Sequence, residues 1–93
     1  MIQLVSADQL RAAIERARME RMLVQPTRFR RQYRVTNRRK GTQYTVDFFV
    51  RAGKRFGHCT CPAGLSHVPC KHLAAAAAVN VAVAAMRRRA MSR

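Results

Sequence analysis

Acidic residues are scarce in this chain. Four Asp and Glu stand against nineteen Lys and Arg, a formal charge of +15 over 93 residues. Asp47 is the one acid beyond residue 20. The carboxylates that acid–base catalysis draws on are therefore missing from most of the chain, and no enzyme is expected. Trp is absent and aromatic residues make up 6%, so the core must be built largely from small side chains. The longest apolar run, Leu73 to Met86, is 14 residues and is interrupted by Asn80, short of the roughly 20 that cross a bilayer. The opening MIQLVSADQL has no basic stretch followed by an apolar one. A secretory signal is not expected, and the location expected is cytoplasmic (nucleoid-associated) or nuclear, not secreted. Three cysteines cannot all pair, and a reducing compartment disfavours disulfides. Their presence then asks for metal binding or catalysis.

What is abundant is positive charge and alanine. A charge of +15 repels itself and is matched by a polyanion. Arg outnumbers Lys 16 to 3, and the guanidinium fork binds phosphate through two donors. Hydrophobic residues reach 48%, too many for a disordered tail, and the length fits one domain, too small to hold a large core.

Residues 1–27 read as an amphipathic helix after a short leader. Ser6 and Gln9 form a capping box, and Leu10, Ala13, Ile14 and Ala17 recur at helical spacing. Arg11/Glu15 and Arg16/Glu20 are spaced as helical ion pairs. Met19, Met22 and Leu23 extend the apolar surface, and Gln25-Pro26-Thr27 ends it. This helix is suited to packing on its own domain, or to pairing with a protein partner or a second copy. It is not strongly cationic on one face, so no membrane contact is expected.

Residues 28–51 read as a β-hairpin. Phe29, Tyr33 and Val35 alternate onto one face of its first strand, and Tyr44, Val46, Phe48 and Val50 onto the matching face of the second. Arg31 and Phe49 break the alternation and read as edge or tip residues. Asn37 and Gly41 suit the turn between the strands, and Ala52-Gly53-Lys54 forms another. Arg55 to Cys59 is a short third strand. Residues 62–69 read as a loop, and 70 to about 88 as a helix with a core stripe of Leu73, Ala76, Val79, Val83 and Met86. The fold expected is α+β: a small zinc-stabilised domain with an N-terminal helix, a three-stranded antiparallel sheet and a C-terminal Ala-rich helix. Residues 28–93 form its metal-binding part, ending in a basic tail.

The chemistry is concentrated between residues 58 and 72. Cys59, Cys61, Cys70 and His72 stand in the pattern C-x-C-x8-C-x-H. Three thiolates and one imidazole are the donors of a closed tetrahedral zinc site. Cys59 and Cys61 sit at a strand end. Pro69 suits a helix's first turn and puts Cys70 at a helix start, where the dipole favours thiolate. Cys70 and His72, two apart, converge only there. Other readings have less behind them. Three buried thiols would not need this spacing. A nucleophilic Cys–His pair lacks an orienting partner, and a redox pair lacks the helix-borne C-x-x-C. Exchange of one ligand for His58 or His67 stays open.

This constellation resembles the SWIM zinc finger, in which C-x-C is followed by a variable gap and C-x-H leading into an apolar helix. The resemblance covers roughly residues 30–85 and includes Pro69-Cys70-Lys71-His72-Leu73. Leu65 stands where family members often carry an aromatic, and His67 where they tend to carry glycine. The resemblance implies a ββα arrangement, one structural Zn2+ on Cys59, Cys61, Cys70 and His72, and a nucleic-acid-binding or protein-binding module.

Seven basic residues fall within 28–40: Arg28, Arg30, Arg31, Arg34, Arg38, Arg39 and Lys40. Arg51, Lys54 and Arg55 follow on the next turn. Together they are the candidate nucleic-acid contacts, DNA being favoured, and most are expected to touch phosphate. Gln32, Asn37 and Gln43 are placed to reach base edges. Tyr33 and Tyr44 lie on the apolar face, which leaves little for stacking on single strands. Arg87–Arg89 and Arg93 form a second basic patch. The alternative is a protein–protein adaptor, or a small subunit of a recombination, transposition or transcription complex, that docks through the finger or through Leu10, Ile14 and Met22.

Overall fold

The structure is a computed structural model that describes residues 1–5 and 7–91. Five strands form one antiparallel sheet: β1 (Ile2–Gln3), β2 (Leu23–Pro26), β3 (Gln32–Asn37), β4 (Thr42–Arg51) and β5 (Lys54–Cys59). Their order across the sheet is β1-β5-β4-β3-β2. Three helices accompany them: α1 (Arg11–Glu20), α2 (Pro62–Leu65) and α3 (Lys71–Met91). A 3-10 turn, Ala7–Leu10, leads into α1.

The α+β class and the central hairpin agree with the sequence reading, but the sheet has five strands rather than three. Both added strands come from the N-terminal segment read as helix. Ile2 and Gln3 pair with Gly57 and Phe56 on one edge, and Leu23–Pro26 pair with Tyr33–Thr36 on the other. Met19, Met22 and Leu23 fit a helical period, yet the helix stops before Met22 at Arg21, which takes a left-handed φ of 49°. The Ser6 half of the capping box lies outside the described residues. Gln9 reaches back instead, accepting from the Val5 amide at 2.6 Å and donating to the Gln3 carbonyl at 2.9 Å.

Alternation holds where strands are paired. Tyr33, Val35, Val46 and Phe48 are buried beneath the helices. It fails at the strand ends. β3 starts at Gln32, so Phe29 sits in the β2–β3 turn, 57% exposed, and Val50 at the far end of β4 is exposed as well. Phe49 is no tip residue. It pairs with Phe56 across β4 and β5, and the two rings stack at 5.6 Å on the sheet face away from the helices.

Helix α3 crosses the inner face and buries Leu73, Ala74 and Ala76. Gly57 is required where it passes β5: a Cβ there would come within 2.7 Å of Leu73 Cδ1. Further along, Asn80 accepts a hydrogen bond from the Tyr33 hydroxyl at 2.9 Å. Beyond it the helix outruns the sheet, and Met86, expected in the core stripe, is exposed. Leu10 and Ala13 are buried, and Ile14 and Met22 pack against the same core. The expected i,i+4 pairs are replaced by tertiary ones at Glu20 and by a local i,i+3 pair at Arg11. Glu20 lies 2.6 Å from Lys71 at the start of α3 and 4.0 Å from Lys40, and Arg11 pairs with Asp8. The Lys71 hydrogen bond holds the Glu20 carboxyl below its ordinary range. No helix among the described residues is long and apolar enough to cross a membrane.

Asn37 does not reach base edges, because it is fully buried. Its Oδ1 accepts from the Arg39 and Lys40 amides, and its Nδ2 donates to Glu20 at 3.2 Å. It therefore ties the β3–β4 turn to the end of α1. Asn37→Ala should cost about 1–3 kcal/mol through lost hydrogen bonds, seen as a lower Tm, whereas Gln43→Ala, at an exposed position, should leave Tm unchanged.

Candidate metal centre

Three elements converge on one point. Cys59 ends β5 on its inner face, opposite Val46. Cys61 starts α2: its sulfur accepts a hydrogen bond from the Gly64 amide at 3.3 Å, capping the short helix that Pro62 opens. Cys70 precedes α3, and its sulfur accepts from the Leu73 amide, also at 3.3 Å. His72 lies in the first turn of α3, with its ring 4.8 Å from that of Tyr44. Residues two apart in mid-helix diverge. Cys70 and His72 converge because Cys70 is the capping residue and not yet helical.

The four donor atoms lie within 4.8 Å of one another, and all four residues are buried. Two further observations fit a metal here. The His72 Nδ1 is buried with no hydrogen-bond partner, a lone pair that a metal would satisfy. The sulfurs, meanwhile, are held close enough to hydrogen-bond one another. A hydrogen bond from Cys59 lowers the Cys70 thiol to about 4, while the same contact and burial push Cys59 well above the ordinary thiol range. Proton-sharing thiols with an imidazole beside them are the soft, closed donor set that zinc takes. Cys59, Cys61, Cys70 and His72 would hold one ion, with no position left open, so the chemistry it supplies is cross-linking.

The other two histidines stand apart. His58 is on the opposite sheet face, paired with Asp47. His67 Nδ1 lies 2.9 Å from the Met1 backbone nitrogen. His67 also has a φ of 62°, the left-handed backbone that favours glycine, which accounts for glycine being usual there. Gly64 is the residue that sequence reasoning missed. A Cβ on it would meet the Cys59 carbonyl oxygen and come within 2.8 Å of the Cys59 Cβ.

All ten basic candidates are exposed, but they do not form one strip along the hairpin. Arg28, Arg30 and Arg31 occupy the β2–β3 turn, while Arg38, Arg39 and Lys40 occupy the β3–β4 turn at the other end of β3. Arg34 lies between them on the open face, level with Thr45. Arg51 and Lys54 close the β4–β5 hairpin, followed by Arg55. Burial raises the Tyr33 hydroxyl, while the charges of Arg87 and Arg31 pull it back. Arg87 on α3 therefore approaches the β2–β3 turn end. Arg93 lies outside the described residues.

Fold and cluster together define a small zinc-finger domain, in which a β-hairpin and a following helix meet at a Cys3His centre. Residues 44–79 match the model of the SWIM zinc finger family, a span that covers most of β4, all of β5 and α2, and the first half of α3. No curated protein and no solved structure matches the chain.

Zinc should saturate at one ion per chain, and chelation should abolish the helical signal and the cooperative melt. Structural zinc supplies roughly 10–16 kcal/mol of apparent binding free energy, more than a core this small yields. Binding needs the Cys59 proton to leave, so apparent affinity should rise with pH and fall as pH is lowered, with proton release measurable by calorimetry in two buffers. Gly64→Ala should weaken zinc binding at least tenfold in a competition titration, because Cys59 must shift to admit the methyl group.

Proposed function

We propose that this protein is a zinc-dependent nucleic-acid-binding protein, with DNA as the favoured partner. The reading rests most on the distribution of charge. Arg28, Arg30, Arg31, Arg51, Lys54 and Arg55 gather with Arg87 at the end of the sheet away from the metal centre. Among the acids, Glu20 is engaged by Lys71, Lys40 and Asn37, Asp47 by Gln32 and Asp8 by Arg11. Little negative charge is left to neutralise that end, and a phosphate backbone would do so. The metal centre acts at a distance, by holding α3 and the sheet in one piece so that the arginines present a fixed surface. The adaptor alternative has less support, because Leu10 is in the core and Ile14 and Met22 pack against it.

Engagement of about five phosphates would give a log–log salt slope near −4.5, a loss of roughly 500-fold between 50 and 200 mM salt. Fluorescence anisotropy with labelled oligonucleotides should show that dependence, and chelator should remove binding. Arg30→Glu, Arg51→Glu and Arg55→Glu combined, all exposed at that end of the sheet, should weaken binding by more than 100-fold and flatten the slope by about one per lost phosphate contact. Salt-independent binding, or full affinity in the triple variant, would refute the reading.

A further inference from the structure

The β2–β3 turn holds an aromatic ring out in solvent, and it does so with a fixed backbone. The Thr27 amide donates to the Gln32 carbonyl at 3.1 Å, and the Thr27 hydroxyl donates to Gln32 Oε1 at 2.7 Å. The Phe29 amide donates to Thr27 Oγ1 at 3.1 Å. Arg31 turns the chain with a φ of 59° and accepts from the Phe48 amide at 2.9 Å. This turn is tied at both ends, and Phe29 at its apex remains 57% exposed. The Arg28 guanidinium lies 5.0 Å over the ring, a cation–π contact that fixes the ring's attitude.

Beside the ring is a groove of about 440 Å³ on the sheet's open face, within the size range of small-ligand sites. Arg28, Phe29 and Arg34 line it, with Gln25, Gln32 and Thr45. No acid lines it. The groove thus offers one exposed aromatic face, two guanidinium groups and several neutral polar side chains. A base inside a duplex is stacked on both sides and cannot use the aromatic. An unpaired base can, while its flanking phosphates meet the arginines.

We infer that the groove at the β2–β3 turn seats an unpaired nucleotide of a single-stranded nucleic acid, with Phe29 stacking on the base and Arg28 and Arg34 holding the adjoining phosphates. This rests on the nucleic-acid reading above and narrows it from polyanion to unpaired strand. The occupant follows from charge complementarity together with the ring, since arginine alone would serve a duplex equally well.

The absence of Trp makes the test direct. Zinc-loaded Phe29→Trp carries a single indole at the site, and Phe29→Ala removes the ring from a position where it supports no core. Each is titrated with decathymidylate, decauridylate, an abasic decamer with the same phosphates, a duplex and thymidine monophosphate. Loss of one stacked base should weaken Phe29→Ala binding to a decamer about tenfold. Its affinity for the duplex and the abasic strand should stay within twofold of wild type. Indole emission in Phe29→Trp should be quenched by decathymidylate or decauridylate, the stronger of the two identifying the strand as DNA or RNA, and not by the abasic decamer. Equal decamer affinity in Phe29→Ala and wild type, or equal quenching by the abasic strand, would overturn the inference and leave the nucleic-acid reading standing. Thymidine monophosphate binding as tightly as the strand would make the occupant a free nucleotide and overturn it too. Failure of every oligonucleotide to bind wild type at 50 mM salt would sink both.

Discussion

The convergence of Cys59, Cys61, Cys70 and His72 is the constraint on which the rest of the molecule depends. The largest fully buried side chains are Leu73, Val35, Val46, Asn37 and Cys59, a meagre set against a charge of +15 that drives the chain apart. The α3 surface against the sheet is largely alanine, which packs closely but buries little apolar area. A cross-link at the one point where β5, α2 and α3 meet sets the angle at which α3 leaves the metal centre. That angle decides whether Leu73 clears Gly57, whether Asn80 reaches Tyr33, and whether Lys71 meets Glu20.

From that point outward, the scarce acids are spent on architecture. Glu20 ties α1 to α3 and to the β3–β4 turn, and Asp47 secures Gln32 on the open face. Glu20 cancels charge beside Lys71 and Lys40, and Asp47 is the single acid set beside the β2–β3 turn among the described residues. Structure and electrostatics are therefore one arrangement: the groups that hold the fold together also leave the far end of the sheet cationic.

The two sheet faces divide the labour. The inner face carries the core and the metal centre. The outer face, covered by no helix among the described residues, carries Arg34, Thr45, the Phe49–Phe56 pair and the groove beside Phe29. A β-sheet can serve both tasks because successive side chains point to opposite sides.

The metal ligands were legible in the sequence because a closed zinc site needs particular atoms at particular spacings, and both are written in the residues themselves. The start of α3 followed from Pro69 and Cys70, and the inward faces of β3 and β4 from period-two alternation. Strands β1 and β2 were not legible. Two residues, and four residues ending in Pro26, carry no period of their own, and they are strands only because β5 and β3 offer them free edges. Period-two alternation puts Phe29 on the inner face only if the strand runs through it, and β3 begins three residues later at Gln32. The exposure of this ring depends on local hydrogen bonds among Thr27, Phe29 and Gln32 and on the Phe48 amide donating to the Arg31 carbonyl, which joins positions distant in the chain. The chemistry of the metal and the sign of the surface charge were thus fixed by composition and spacing alone. Where the charge gathers, what Asn37 and Glu20 do, and which aromatic faces water were decided by strand register and packing, since these depend on neighbours that the linear order does not specify.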